Sequence, residues 1–428
     1  MPKPLFHSLG SNYSSDLVAI ANQYTDDPLR HQDEQSKQLL EALETRFSGT
    51  GMLVYKGRDA IELALRPIAQ SLSRTGKQLG VLTQGLACHA IEEGIVRAGL
   101  FPVYADLAEG SLGPSVETLK AALERAKESS IEVKVVFLQH LLGYVNDVQA
   151  ISEFCKKHQL ILIEDLAQSF GASDVQHRQV GTLADVVIFS FGRDKVLDGV
   201  SGGAVLFKQS FWKQVDLDAE WVKIHLPTEF PPQNVVKKEL FYPGLTQFIR
   251  QTHQVLVGKV VFKIARMFGF LTSPIAAAVA YPTLLPAGYV SLVLWQLKHL
   301  DVQLTHRREL ATFYLHELQS IPEVKSYLAE DRIAHDVHLR VPVLMDSATS
   351  LQKFLANCTA ENIHITDRWY RDVVDSGSLR YPTLYKAGTC PVAESTAERL
   401  LNLPTHQYIT RQDAKRIMTI LRSTQGEA

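Results

Sequence analysis

From Met52 onward the chain alternates short, unbroken apolar runs with longer segments of helical period. GMLVY reads as a strand and RDAIELALRPIAQSL as an amphipathic helix. LGVLTQ is a second strand and HAIEEGIVRAGL a second helix. FPVYAD, VKVVFLQ, LILIED, VVIFSF and GAVLF continue the strand series, with helical patterns at SVETLKAALERAK and DVQAISEFCKKHQ separating three of them. Apolar strands alternating with helices predict a mainly parallel sheet, buried on both faces and joined by right-handed crossovers. Ligands of such sheets sit beyond the carboxyl ends of the strands, so that is where chemistry is expected.

Residues 1–50 read as polar helical segments with loops, and Ser14, Ser15 and Asp16 are placed to cap DLVAIANQ. Past about residue 208 the alternation stops, and a Pro-containing loop (LPTEFPPQN) leads into a helical region over 244–300. YVSLVLWQLKHLDVQLTHRRELATFYLHEL predicts one long helix or two joined end to end, and HLRVPVLM a strand. ITRQDAKRIMTILR predicts a terminal helix, with Thr410 and Asp413 spaced as a capping box. The expected organisation is a large domain over 1–300 and a smaller C-terminal α+β domain over 301–428, which suits a length of 428 residues.

Composition narrows the function. Forty-four Lys and Arg against 46 Asp and Glu leave a net charge of -2, which argues against nucleic acid as a partner. At 46% hydrophobic and 21% charged residues, disorder over much of the length is excluded. Cys88, Cys155, Cys358 and Cys390 form no CxxC pair, so reduced thiols in a cytoplasmic protein are expected, with neither a disulfide framework nor a metal site. The N-terminal stretch has no apolar core behind a basic start, so no secretory signal is expected.

The candidate chemistry begins where a strand ends. Asp165 closes ILIED, Gln168 follows one helical turn later, and Ser190 closes the strand VVIFSF. Lys195 comes five residues after Ser190, in a loop running into GVSGGAVLF. A lysine beside a buried pocket can lose its proton and attack an aldehyde, and a carboxylate facing a pyridine nitrogen keeps that ring protonated as an electron sink. Asp165 and Lys195, in this order on a parallel sheet, are the set that pyridoxal phosphate requires.

Four ordered blocks then carry a resemblance over most of the chain. They are VLTQGLACHAIEEGIVRAGLFPVYADL, VVFLQHLLGYVNDVQAISEFCKKHQLILIEDLAQSFGA, GTLADVVIFSFGRDKVLDGVSGGAVLF and CPVAESTAERLLNLPTHQYITRQDAKRIM. Together they resemble the fold-type I pyridoxal-phosphate enzymes, specifically the nucleotide-sugar aminotransferases of the DegT/StrS type. The resemblance implies a fold-type I α/β architecture, with a mainly parallel seven-stranded sheet flanked by helices. It implies pyridoxal 5′-phosphate as cofactor, with Lys195 as Schiff-base lysine and proton shuttle. Asp165 would pair with the pyridine nitrogen, Gln168 would reach the phenolic oxygen, and Ser190 would bind the phosphate. YKGRDAIELAL stands at the family's "sGTaAL" loop, so Gly57, Arg58 and Asp59 would present backbone N–H groups and a helix dipole to that phosphate. His140 falls in a match to "HlyG", where a structural role is expected.

Departures from the family pattern are as specific as the matches. The segment GLAC puts Cys88 where the family has an aromatic that stacks on the cofactor, leaving His89 as a neighbouring candidate. The family's "GEGG" is VSGG here, with Ser201 in place of the carboxylate. Its "YN.R", whose Asn crosses to the partner subunit, aligns with YPTL, so Pro282 and Leu284 replace the Asn and Arg. Arg58 is then the candidate for the missing phosphate charge.

The segment before Tyr281 is also longer than the family usually carries, an insertion over about 214–280. Within it Lys259, Lys263 and Arg266 recur at i, i+4, i+7, with Val257, Val260, Ile264 and Phe268 on another face. Residues 267–297 then carry no charge at all, but Pro274, Pro282 and Pro286 interrupt any spanning helix. Peripheral contact with the inner face of a membrane through about 255–280 stands beside an elaborated dimer interface or core cover. The expected function is an aminotransferase taking its amino group from a donor such as glutamate and passing it to a nucleotide-linked keto-sugar of polysaccharide biosynthesis. The family implies a homodimer. A non-catalytic or regulatory protein of the same fold, or a sugar dehydratase, is the alternative; Lys195 counts against the dehydratase, whose relatives carry histidine there.

Overall fold

The computed structural model describes residues 3–72, 77–271, 281–365, 369–375 and 382–426. Strand β1 (Leu5–Phe6) precedes helices α1 (Ser15–Gln23) and α2 (Gln32–Phe47). An alternating series follows: β2 (Thr50–Val54), α3 (Gly57–Leu72), β3 (Gln78–Gln84), α4 (His89–Arg97), β4 (Phe101–Ala105), α5 (Val116–Glu128), β5 (Ile131–Gln139), α6 (Val148–His158) and β6 (Ile161–Asp165). Strands β7 (Val186–Ser190) and β8 (Gly203–Phe207) complete the sheet, in the order β2-β8-β7-β6-β5-β3-β4. Only β8 runs against its neighbours β2 and β7; the other contacts are parallel.

Side chains alternate between two cores because successive strand residues point to opposite faces. Val136, Leu138, Leu162, Val187 and Phe189 pack with Leu17, Leu39, Leu119, Ile151 and Leu292 on one face. Val135, Phe137, Ile161, Ile163, Val186 and Ile188 pack with Leu63, Ile91 and Phe211 on the other. That double burial is why these strands read as continuous apolar runs.

The segment after β8 is helical: α7 (Gln209–Val215), α8 (Glu220–Ile224), α9 (Gln233–Leu240), α10 (Tyr242–Thr252) and α11 (Leu256–Met267). The long helical pattern resolves into two helices end to end, α12 (Ala287–Lys298) and α13 (Leu300–Leu318). The C-terminal part contains β9 (Lys325–Ser326), β10 (Arg340–Leu344), α14 (Ala348–Ala360), β11 (Ile363–His364), α15 (Pro391–Arg399), β12 (Leu400–Pro404) and α16 (Arg411–Gly426). Here β12, β10 and β9 form an antiparallel sheet, and a core of Tyr314, Phe354, Ala397 and Leu421 packs with it. The N-terminal β1 pairs with β11, tying the start of the chain to this part. Thr410 and Asp413 exchange the two hydrogen bonds of a capping box at the start of α16. Part of the uncharged stretch, residues 272–280, lies outside the described residues.

Candidate active site

β5 and β6 run parallel with Gln139 opposite Asp165, so two polar side chains meet at the carboxyl edge of the sheet. Gln139 Nε2 donates to Asp165 Oδ2 at 2.7 Å, and the Ala167 amide donates to Oδ1 at 2.9 Å. Burial raises the Asp165 carboxyl above its ordinary range, while the Ala167 amide, Lys195 and Gln139 pull it back down. A buried acceptor held in this way suits a ring N–H or another cationic donor.

Lys195 stands in the loop after β7, with Nζ 4.8 Å from the centre of the Trp369 ring. Trp369 is followed by Tyr370, whose Oη donates to Gln139 beside Asp165, so the loop and the end of β6 meet the same short segment. Asp198 staples the loop from within, accepting hydrogen bonds from Tyr13 Oη, Asn12 Nδ2 and the amides of Asp194 and Val200. Asn12 also donates to the Lys195 carbonyl at 2.8 Å. Complete burial pushes the Asp198 carboxyl up to about 6 against the pull of those donors. Asp194 (φ 62°) and the β-branched Val200 (φ 71°) occupy left-handed backbone on either side of Lys195. Such conformations cost about 1–3 kcal/mol each and persist where surrounding contacts enforce them.

Ser190 closes β7 beside the amino end of α3. A Cβ on Gly57 would fall 2.8 Å from Ser190 Oγ, and one on Gly203 would fall 2.8 Å from Gly57 Cα. The two glycines therefore create a cradle between a hydroxyl and the start of a 16-residue helix, an arrangement that favours an anion. Three of the turn's charged side chains already have partners. Lys56 Nζ lies 3.1 Å from Glu239 Oε1 and 2.6 Å from Ser201 Oγ, and Arg58 Nη1 lies 2.7 Å from Glu93 Oε2. Asp59 donates its amide to the Lys56 carbonyl and sets its carboxylate 3.0 Å from Arg97, anchoring α3 to α4. Gly57→Ala is expected to fill the cradle and weaken pyridoxal phosphate binding ten- to a hundredfold, the equivalent of about 1–3 kcal/mol of overpacking. Cofactor titration followed by tryptophan fluorescence measures it, and an unchanged affinity would remove the phosphate from this cradle.

The remaining expected residues are dispersed around these. Cys88 caps α4 and bridges through its backbone to Asp375. His89 is buried, with Nε2 3.3 Å from the Pro382 carbonyl and 3.9 Å from Glu92, while the aromatic ring that meets Lys195 is Trp369. Gln168 accepts from the Leu142 amide at 2.6 Å and donates to Tyr370 Oη. Tyr370 Oη in turn donates to Gln139 Oε1 at 3.3 Å, linking Gln168 to the Asp165 carboxylate through Gln139. Tyr370 and Leu142 also have positive φ, at 59° and 55°. His140 Nε2 lies 3.2 Å from Glu164, both fully buried. Gln139, Trp369, Tyr370, Asn12 and Asp198 were absent from the expected set. Gln139 alone had a local signal, closing β5 as Asp165 closes β6.

An amine, a buried acceptor and an anion cradle that a Cβ would fill together fit pyridoxal phosphate. Comparison with known proteins bears on the same question. The model of the DegT/DnrJ/EryC1/StrS aminotransferase family matches residues 35–215 and 278–422. GDP-perosamine synthase of Vibrio cholerae is 36% identical over 112 residues, 26% of this chain and 29% of that protein. The chain thus spans less than a third of that relative's length. The dTDP-4-dehydro-2,3,6-trideoxy-D-glucose 4-aminotransferase of Saccharopolyspora spinosa is 26% identical over 351 residues, covering 79% of this chain and 76% of that one. Among solved structures, NtdA from Bacillus subtilis with bound cofactor PMP superposes with a TM-score of 0.68 at 16% identity, covering 100% of this chain and 86% of that one. At that identity the likeness speaks for the fold.

Proposed function

The chain belongs to the DegT/DnrJ/EryC1/StrS aminotransferase family, and from that premise we propose that it is a pyridoxal 5′-phosphate-dependent sugar aminotransferase. It would take an amino group from glutamate and deliver it to a keto-sugar carried on a nucleotide. The observation that carries the reading is that Asp165 and Ser190 close adjacent parallel strands, with Ser190 against Gly57 and Lys195 in the loop that follows. The names of the two curated relatives, a GDP-perosamine synthase and a dTDP-sugar aminotransferase, support the substrate class.

When bound, the cofactor supplies an electron-withdrawing ring that stabilises negative charge on the substrate carbon. Asp165, held by Gln139 and the Ala167 amide, accepts the ring N–H. Ser190 Oγ and the amino end of α3 hold the phosphate. Lys195 Nζ would hold the cofactor and would then move a proton between the substrate carbon and the cofactor carbon on either side of the transferred nitrogen, as base and then acid. Asn12 and Asp198 act through Lys195, fixing the loop from which Nζ reaches the reacting atoms.

A cytoplasmic homodimer is part of the same reading. So is the division into 1–300 and 301–428, with Trp369 and Tyr370 as the smaller part's contribution to the site. Peripheral contact with the inner face of a membrane would run through α11. The test of catalysis is a single half-reaction. Glutamate added to cofactor-loaded protein should yield one equivalent of 2-oxoglutarate per site and shift the cofactor's visible band. A band that no amino donor moves would favour a non-catalytic protein of this fold.

A further inference from the structure

The side chains of α11 divide into three strips along its axis. Gly258 and Ala265 are buried and Val261 and Phe262 partly so. A Cβ on Gly258 would lie 2.3 Å from the Thr252 carbonyl carbon, so this strip is pressed against the end of α10. A second strip, Leu256, Val257, Val260, Ile264 and Met267, faces solvent, and Val255 and Phe268 extend it at the two ends. Exposure along it runs from 45% at Val260 to 76% at Leu256. The third strip is Lys259, Lys263 and Arg266, all exposed. At 3.6 residues per turn the apolar strip covers about 100° of the helix and the basic strip borders it.

A contiguous apolar surface of this kind on a soluble fold marks a contact site, and the surrounding charge narrows what makes the contact. Residues 240–300 contain no Asp or Glu, and their charges are Arg250, Lys259, Lys263, Arg266 and Lys298. No carboxylate among the described residues pairs with Lys259, Lys263 or Arg266. Lys238 adds a cation at the far end, donating to the Phe268 carbonyl.

We propose that α11 docks the protein on an anionic membrane surface. The helix lies in the plane of the interface, with Leu256, Val257, Val260, Ile264 and Met267 entering the acyl boundary. Lys259, Lys263 and Arg266 meet lipid phosphates. No helix among the described residues is long and apolar enough to cross a bilayer, so the contact is peripheral. A twofold contact with a second copy, centred on this helix, would set these cations against their own images with no acid in the strip to neutralise them. The family match passes over residues 216–277, so the device belongs to this chain's insertion and is independent of amino transfer.

The test uses full-length protein and sedimentation with vesicles of phosphatidylcholine, with or without phosphatidylglycerol. The protein should sediment with the anionic vesicles at low salt, come off at high salt, and bind the neutral ones weakly. Lys259→Glu/Lys263→Glu/Arg266→Glu should lower partitioning by roughly a hundredfold or more. Leu256→Gln/Val260→Gln/Met267→Gln should reduce binding at every salt concentration. Both variants should keep the wild-type circular dichroism and turnover, since none of these residues lies in the site. Absence of binding to anionic vesicles, or binding that neither variant weakens, overturns the proposal. So does a fall in light-scattering mass in the apolar variant without vesicle binding by the wild type, which would assign the face to a second copy.

Discussion

Lys195→Ala will abolish transamination, with turnover falling at least about a thousandfold, since proton transfer by a positioned side chain alone contributes about 10²–10⁴. The covalent link goes with it: borohydride treatment will fix pyridoxal phosphate to the wild type and not to the variant. Two features make the loss specific to the Nζ. The loop is shaped by Asp198 and Asn12 through the Lys195 carbonyl and neighbouring amides, so truncating the side chain leaves those contacts intact. The anion cradle and Asp165 come from other elements, so the variant should still bind the cofactor, non-covalently and with a changed visible spectrum. Equal borohydride labelling of the variant would move the reactive amine elsewhere. Arginine is no substitute, because it remains charged at all working pH values and cannot act as a base.

How much of this was legible in the chain depended on distance in sequence. The sheet was readable because strands buried on both faces are continuous apolar runs, and Asp165, Ser190 and Lys195 were readable because each follows such a run. Tyr370 was not, since its contact with Gln139 spans 231 residues and no local period reports it. Trp369 reaches Lys195 from the C-terminal part, in a segment with neither helical nor strand patterning. The pairing of Leu5–Phe6 with Ile363–His364 is two residues long, below what alternation can signal. The departures from the family pattern marked Ser201 but not the compensation. Ser201 removes a carboxylate from the turn, and the carboxylate that meets Lys56 comes from Glu239, inside the insertion.

That compensation carries the second large effect: Glu239→Ala is expected to destabilise the fold by about 3–5 kcal/mol, the usual result of removing one partner of a buried ion pair. Glu239 accepts from Lys56 at 3.1 Å and from the hydroxyls of Tyr55 and Tyr289 at 2.8 Å each, with side-chain exposures of 8% for Lys56 and 10% for Glu239. Alanine would leave the Lys56 ammonium with Ser201 and the Tyr55 ring face, neither of which neutralises its charge. Lys56→Met/Glu239→Leu should recover most of the loss, since a well-packed apolar pair avoids the desolvation of both ions. The acid limb gives an independent reading. Burial alone would raise the Glu239 carboxyl, but Lys56 and Arg193 outweigh it and hold it below its ordinary value near 4.5. A carboxyl lowered in the folded state stabilises fully above that value and loses its contribution as pH falls below it, so the wild type should weaken more steeply in acid than Glu239→Ala. Urea denaturation between pH 7 and pH 3 measures both effects, and a loss under about 1 kcal/mol would mean that the pair adds little. Because Lys56 immediately precedes Gly57, loosening the pair should also lower cofactor affinity in Glu239→Ala. The inserted helix α9 thereby braces the residue that leads into α3.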